Sequence, residues 1–320
     1  MKVLAGAVLL PIFACQGLQI QTQQDRRSFG RMVATLAGTA VSWLNPHSAT
    51  AVGPGALVPP LSERFDSSTL KQPPTLTAAG DLLTSPGTDN TFFPDFMAGT
   101  WDVTQTLIDA QTPLGLEFVG GPNGSPAIAE KTMAETRSKL NQPVNLQLRF
   151  VQTKWGVAED RVFNNAQRLN AFAGRKVVAT VDYADVGASN RAAVLKNGGK
   201  AEDPLSTVLV KYKGPAAQKT FVTSHYTTSS APIDGGAEKW YISEGQRSIF
   251  ALTNENTAPP IFTDSEILLC LQQVGPDKVQ ARLRLAGYLN AQSDKLYFEA
   301  RNRAVSLLDY TLDMQRINSS

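Results

Sequence analysis

The chain has 320 residues, a formal charge of +2, 42% hydrophobic residues and 18% charged residues. This is the composition of a globular protein, and it excludes a disordered chain and a collagen-like fibre. Cysteine and histidine are both scarce, with 2 residues each. These counts exclude a disulfide-rich scaffold and a metal site built from several histidines.

The first residues carry the pattern of a secretory signal. Lys2 precedes a short apolar run over residues 3–14, and a positive charge before such a run is typical of a signal peptide. The run is too short to span a membrane as a mature helix. The sequence therefore predicts a secretory-type signal over residues 1–15. Cys15 could instead be the cysteine of a bacterial lipobox. The bulky Phe13 two positions before it makes this interpretation the less favoured one.

A second targeting segment is predicted over residues 16–51. The pair Arg26-Arg27 precedes a second apolar run, 32–44, which ends at the small residues 49–51. This arrangement resembles a plastid transit segment followed by a twin-arginine signal for transfer into the thylakoid lumen. Two stacked signals are expected in an alga with a complex plastid. The alternative is that only the first signal is used and the second apolar run is a buried helix.

Cleavage after Ala51 would change the charge of the chain. It removes four basic residues and one acidic residue, so the formal charge falls from +2 to −1. A mature chain near neutrality gives no reason to expect a nucleic-acid partner.

Residues 52–90 are rich in proline, glycine, serine and threonine, with few large apolar side chains. This composition predicts an extended arm or linker. No later apolar run is long enough for a transmembrane helix.

Residues 91–320 are predicted to form a single β domain. From Thr100 to Leu107, apolar and polar side chains alternate with the period of a half-buried strand. Similar segments recur with turn residues between them, and eight to ten strands are expected, as in a β barrel or sandwich. The segments with strand-like patterns after the first are 145–155, 175–183, 206–213, 218–228, 239–243, 246–253, 266–273, 279–290, 295–304 and 305–317. The segments 239–243 and 246–253 are expected to form a hairpin around Glu244-Gly245. A helix is predicted over 127–141, a strand or loop over 160–164 and a short helical turn over 165–172.

The tripeptide Gly99-Thr100-Trp101 opens the first long strand. It resembles the Gly-x-Trp motif of lipocalin-like barrels, in which the tryptophan closes one end and packs under an arginine from a late strand. The resemblance implies a cation–π partner for Trp101, with Arg301, Arg303 and Arg316 as the candidates. A buried tryptophan in another β core is the alternative. The predicted fold is therefore mainly β, a single antiparallel lipocalin-like barrel or sandwich with a few short helices and a Pro-rich N-terminal arm.

A broader resemblance covers most of residues 92–317. The segments that carry it are Phe93-Pro94-Asp95-Phe96, Asp160-Arg161-Val162-Phe163-Asn164, Val181-Asp182-Tyr183, Ser189-Asn190-Arg191 and Asp309-Tyr310-Thr311-Leu312. They resemble an uncharacterised family of cyanobacterial and plastid proteins whose plastid members are lumenal. The resemblance implies a thylakoid-lumen location and no particular reaction.

Two polar segments form the densest candidate binding site. Its members are Asp160, Arg161, Asn164, Asp182, Asn190 and Arg191, to which the closing residues Trp101, Arg303 and Arg316 are added. One interpretation is a polar mouth that recognises a headgroup or a partner. The other is local, with Asp and Arg paired to each other and the remaining side chains shaping turns.

Catalytic motifs are absent from the sequence. His225 has no nucleophile elbow beside it, and Cys270 lies in an apolar run without an activating cation. We therefore expect no cofactor, no metal and no catalytic residue. Whether the protein is an enzyme is left open, and a non-enzymatic function is favoured.

The function expected from these patterns is that of a binding or accessory protein of the thylakoid lumen. Its ligand would be a lipid or pigment, or a photosystem or other thylakoid membrane complex, with a role in photosystem assembly or maintenance. Two alternatives stay open: a structural photosystem subunit docked through its arm, and a lumenal enzyme on a lipocalin-like barrel.

Overall fold

The computed structural model describes residues 61–72, 91–153, 156–183, 207–213, 218–230, 239–252, 261–291 and 293–317. The two predicted targeting signals lie outside these residues. No helix within these ranges is both long enough and apolar enough to cross a membrane.

Within these described ranges, eleven antiparallel strands form one sheet. Their bounds are β1 Phe92–Phe93, β2 Gly99–Gln111, β3 Pro143–Thr153, β4 Gly156–Glu159, β5 Val178–Tyr183, β6 Thr207–Tyr212, β7 Gln218–Ser230, β8 Lys239–Leu252, β9 Ile261–Gly275, β10 Lys278–Tyr288 and β11 Ser306–Arg316. Among the described residues, four α-helices accompany them: α1 Leu61–Asp66, α2 Pro126–Arg137, α3 Arg161–Phe172 and α4 Tyr297–Ala300.

The strand order is β1-β4-β3-β2-β11-β10-β9-β8-β7-β6-β5. The sheet curves into a nearly closed barrel, because side chains from β3 and from β8 and β9 line one small interior cavity. Helix α3 lies between β3 and β5, where it contacts both strands. The prediction of a mainly β, antiparallel barrel with a few short helices is confirmed.

The interior is an apolar core produced by the period-2 alternation of the strands. On β2 the alternating residues Trp101, Val103 and Leu107 are buried, and Asp102 and Thr104 between them are exposed. Inward-facing residues of β3, β8, β9, β10 and β11 complete the same cluster. Because burial of apolar surface is the main favourable term in folding, this cluster holds the barrel together.

A second apolar cluster lies on the outer face of β8 to β11. Phe65 and Leu70 of the N-terminal arm pack there against Tyr241, Leu268 and Tyr288. The arm was expected to be extended, but its described part contains α1 and folds back onto the barrel. Phe65 and Leu70 supply the apolar surface for this docking, each with only 2% of its area exposed.

Three local predictions were wrong. The expected hairpin around Glu244-Gly245 is one continuous strand, β8, whose pairing with β9 runs through both residues. The segment 160–164, expected as strand or loop, caps and begins α3. Residues 295–304, expected as a strand, contain the short helix α4 and a turn.

Candidate functional site

One end of the barrel is closed by Trp101. Its side chain is fully buried, and its Nε1 donates a hydrogen bond to the carbonyl oxygen of Met97 at 2.8 Å. The guanidinium of Arg316 lies 4.4 Å from the centre of the Trp101 ring. Arg316 also donates to the carbonyl oxygens of Phe96 and Ala98. The structure thus selects Arg316 from the three predicted cation–π partners.

Helix α3 begins at a capped N-terminus. The Asp160 carboxylate accepts a hydrogen bond from the backbone N–H of Phe163 at 3.0 Å, which satisfies one of the free amides of the first turn. The same carboxylate pairs with Arg149 of β3 at 2.6 Å. Asp160 therefore fixes the helix to the sheet. The local interpretation predicted that Asp160 pairs with the adjacent Arg161. Arg161 pairs with Glu244 instead.

Asn164 takes the place of a neighbouring strand at the edge of β3. Its side-chain Oδ1 accepts from the backbone N–H of Arg149 at 2.7 Å, and its Nδ2 donates to the Arg149 carbonyl at 3.1 Å. The residue is completely buried. The backbone N–H of Asp160, the N-cap of α3, also donates to the Arg149 carbonyl at 3.0 Å, so this N–H and the Asn164 amide together satisfy the strand edge where α3 meets it.

Arg161 points into the barrel and forms a bidentate ion pair with Glu244 of β8. The two nitrogen–oxygen distances are 2.7 and 2.8 Å. Thr91 and Gln246 each donate a further hydrogen bond to the Glu244 carboxylate, both at 2.8 Å. Because both charged groups are almost completely buried, the pairing has to replace the water that each has lost.

A second carboxylate and a second arginine complete the cluster. Glu159 is paired with Arg168, accepts a hydrogen bond from Asn164 at 3.0 Å, and lies 3.9 Å from Arg161. The cluster therefore contains two acids and two arginines and is electrically balanced. We refer to Glu159, Arg161, Arg168 and Glu244 as the interior charge cluster.

The pKa values of Glu244 and Arg161 favour their charged forms. Burial by itself would raise the pKa of Glu244, but the charge and hydrogen bonds of Arg161 lower it to about 2. Burial would lower the pKa of Arg161, but Glu244 and Glu159 raise it above its ordinary value. Neither group is free to donate or accept a proton near neutral pH, so the pair is unsuited to acid–base catalysis.

A cavity of about 40 Å³ adjoins the interior charge cluster. Its wall is mostly apolar and includes Phe93, Phe150, Leu269 and Met314, and Glu159, Arg168 and Glu244 also line it. This volume is little more than that of one or two water molecules. Around this cavity, the described barrel interior is therefore filled by its own side chains.

A larger groove, of about 540 Å³, lies on the outer surface across β3, β2, β11 and β10. Four of its polar side chains form two hydrogen-bonded pairs. Gln147 donates to Asp102 at 2.9 Å, and Thr104 donates to Asn145 at 2.9 Å. Exposed polar and charged side chains, including Asp102, Lys278 and Asp313, line the groove, and we interpret it as a solvated polar surface.

The remaining predicted site residues do not join the interior charge cluster. Asp182 is exposed on β5, and Arg303 donates to the carbonyl of Ala300 beside α4. Asn190 and Arg191 lie outside the described residues. Cys270 is buried on the outer face, and burial raises the pKa of its thiol above the ordinary value. The His225 side chain also lies outside what the structure describes.

Sequence reasoning missed Glu159, Arg168 and Glu244. A signal for Glu244 was present, because it follows the inward-facing Ile242 by two positions, but the predicted hairpin hid that alternation. Among the described residues, His, Cys, Asp and Glu form no group of three or more that could hold a metal ion.

Taken together, these observations define a class: a single-sheet antiparallel β barrel with a filled interior, a helix completing its wall and a balanced charge cluster inside. The chain belongs to the family described as Domain of unknown function (DUF6816), which matches residues 85–318. No curated protein and no solved structure matches it.

Proposed function

We propose that this protein is a binding and accessory protein of a photosynthetic membrane complex in the thylakoid lumen, and that it acts through its outer surface. The barrel serves as a rigid scaffold in this proposal. A lipid or pigment held inside the barrel, which the sequence also suggested, is the less favoured form of the binding function.

The observation that carries the proposal is the filled interior. Ligand sites usually have volumes of roughly 300–1,000 Å³, whereas the described interior leaves about 40 Å³. The side chains around this space include Leu148, Leu271 and Met314, which are almost fully buried. A lipid or pigment would have to displace core residues, whereas a partner on the outer surface requires no such rearrangement.

The described part of the arm favours docking through the barrel surface rather than through the arm. Residues 61–72 are bound to the barrel by the apolar contacts of Phe65 and by the ion pair between Arg64 and Glu266, at 2.6 Å. Leu70 and Gln72 also exchange backbone hydrogen bonds with the segment 302–304. These contacts use the surface that the arm would otherwise offer to a partner.

The enzyme alternative is less favoured on the chemistry of the interior charge cluster. Its carboxylates are already satisfied by arginines and hydrogen bonds, and the adjoining space admits no substrate. Catalytic carboxylates need an open pocket and a proton that can move at the working pH.

The photosynthetic setting of the proposal comes from the sequence. It depends on the two stacked targeting signals and on the resemblance to lumenal plastid proteins.

The test is to isolate the native protein from fractionated cells in mild detergent and to analyse it by native mass spectrometry. We expect no lipid or pigment at near one-to-one ratio and co-migration with a thylakoid membrane complex. A stoichiometric apolar ligand would contradict the scaffold function, and migration alone in a fraction without thylakoids would contradict the setting.

A binding assay with a fluorescent fatty acid tests directly whether the barrel interior can hold an apolar ligand, and variants with an enlarged cavity are the matched control. The wild-type protein is expected to leave the probe unbound, because its interior is filled. Phe150→Ala and Leu269→Ala enlarge the same cavity, and at least one of them is expected to bind the probe if it stays folded. Tight binding by the wild-type protein would favour the carrier function.

A further inference from the structure

The turn between β10 and β11 presents an aromatic side chain to solvent. Phe298 of α4 is 82% exposed, whereas the other exposed large apolar side chains of the described residues reach only 37–44%. Its neighbour Tyr297 packs against the core and meets the Phe298 ring edge-on at 5.2 Å. The turn lies at the end of the strands opposite to Trp101 and Arg316.

Basic residues predominate in the turn that carries this aromatic side chain. Between positions 295 and 303 there are three, Lys295, Arg301 and Arg303, against the single acidic residue Glu299. The arm adds Lys71, whose backbone is bridged to that of Arg303. Lys71, Lys295 and Arg301 are exposed. The nearby Asp294 carboxylate is directed inward to the backbone N–H of Asn290, at 2.6 Å.

The backbone of this turn is strained and firmly held. Arg301 and Asn302 both have positive φ, 52° and 58°, which is uncommon for residues other than glycine. The arm holds the strained pair in place, because Gln72 N–H donates to the Asn302 carbonyl at 2.6 Å and Ala304 N–H donates to that of Leu70 at 2.8 Å. Strain that is maintained by surrounding contacts is characteristic of functional surfaces.

We propose that this turn is a contact site for an anionic lipid surface. Phe298 inserts its ring among the lipid chains, and Lys71, Lys295, Arg301 and Arg303 lie against the negatively charged headgroups. An isolated apolar ring within a cationic border matches the layered chemistry of a bilayer surface. A protein hot spot would instead be centred in a broader, well-packed apolar patch.

The contact is weak and orients the protein. One aromatic ring and a few cations bind less strongly than the two signals required for a stable lipid anchor. The contact would turn this end of the barrel towards the membrane and leave the side of the barrel and the Trp101 end to the partner of the proposed function. The inference goes beyond that function and can fail separately from it.

Flotation of the full chain with vesicles tests the proposal. We expect binding to phosphatidylcholine vesicles that contain phosphatidylglycerol, and much weaker binding to phosphatidylcholine alone. Phe298→Ala is expected to lower the partition coefficient about tenfold. Arg301→Asn is expected to lower it roughly fivefold, since each basic residue near the surface contributes on that order. Asparagine also tolerates positive φ, so this change leaves the turn intact.

The matched control is Val274→Ala, which removes an exposed apolar side chain at the opposite end of the barrel. It is expected to bind vesicles as the wild type does. A photo-crosslinking side chain at position 298 should label lipid, and one at position 274 should not, which separates this turn from any contribution of the N-terminal segment. High salt should weaken the anionic preference, because exposed charges are screened.

Equal binding by Phe298→Ala and wild type, or equal binding to both kinds of vesicle, would overturn the proposal. Co-migration with a membrane complex without any vesicle binding would keep the proposed function and overturn this contact. Vesicle binding through Phe298 without a co-migrating complex would keep this lipid contact and overturn the proposed function.

Discussion

Among single-residue contacts of the described interior, the buried ion pair between Arg161 and Glu244 has the largest energetic consequence. Burying one unpaired charge is very costly, and two charges offset that cost only with close geometry and further hydrogen bonds. Both conditions are met, since the pair is bidentate at 2.7 and 2.8 Å and Thr91 donates to the same carboxylate. The pair connects α3 to β8, 83 residues apart in the chain. It therefore specifies how the helix seats in the barrel wall.

Glu244→Gln is expected to destabilise the protein by about 3–5 kcal/mol, because it leaves Arg161 buried without its main counter-charge. The free energy of unfolding, measured by urea denaturation, checks this value. The double variant Arg161→Met/Glu244→Met removes both charges and is the control. We expect it to be more stable than Glu244→Gln, and the reverse order would contradict the buried-charge argument.

Single-residue predictions from the sequence succeeded where a partner lay in a recognisable motif. The contact of Trp101 with Arg316 was among the expected ones, because the Gly-x-Trp motif names the kind of partner. Asp160 and Arg161 were placed in a polar site, but their partners Arg149 and Glu244 were not foreseen. Pairing across a barrel depends on strand register, which single-residue patterns do not contain.

The N-terminal arm and the outer face of the barrel are the main interacting elements outside the core. Glu266 of β9 is completely buried under the arm, where Arg64, Ser243 and Tyr288 donate hydrogen bonds to it at 2.6, 2.6 and 2.8 Å. Arg284 forms a bidentate pair with Asp309 beneath the same arm and donates to the carbonyl of Ser67. The arm therefore adds hydrogen bonds to polar groups that the sheet alone satisfies only in part.

Arg64→Met is expected to destabilise the protein by about 2–4 kcal/mol, because the buried Glu266 loses its cationic partner. Arg282→Met is the matched control. Its ion pair with Asp66 is 3.6 Å long and exposed on both sides, so a loss below about 1 kcal/mol is expected. Urea denaturation of both variants measures the difference. Equal losses would contradict the argument that the buried Glu266 depends on Arg64.

The sequence patterns predicted most of the strands, but they did not predict that β8 continues through Glu244 and Gly245. The alternation in 145–155 and 279–290 corresponds to β3 and β10 with shifts of a few residues. Glu244-Gly245 was misread as a turn, because a charged residue beside glycine usually marks a loop. Here Arg161 makes the charge tolerable inside the barrel, so β8 passes through. The helix α1 was missed because six residues in a Pro-rich segment gain their stability from docking.

The described residues of the whole molecule form two different ends and a middle filled by side chains. Trp101 and Arg316 close one end, and the strained turn with Phe298 projects from the other. A rigid body with unlike ends is suited to holding a fixed orientation between a surface and a partner. A carrier would require the middle to be empty, and there the described side chains leave about 40 Å³.

The acid stability of the molecule depends on two carboxyl groups with opposite pKa shifts. Despite burial, Arg161 lowers the pKa of Glu244 from 4.5 to about 2, so this group stabilises the fold above pH 4.5 and the effect is lost as the pH falls towards 2. Burial raises the pKa of Asp294 from 3.8 to about 6. Its contribution is present below pH 3.8 and is lost as the pH rises through 6.

Two variants are therefore expected to change the pH profile of stability in opposite ways. Glu244→Gln should flatten the loss of stability between pH 4.5 and 2, because the group that takes up a proton on unfolding is gone. Asp294→Asn should remove a decline between pH 3.8 and 6, because the folded state no longer retains an extra proton there. Urea denaturation over a pH series measures both slopes. Profiles parallel to the wild type would mean that these carboxyls titrate alike in the folded and unfolded states, and that the interior charge cluster does not set the acid limit of the barrel.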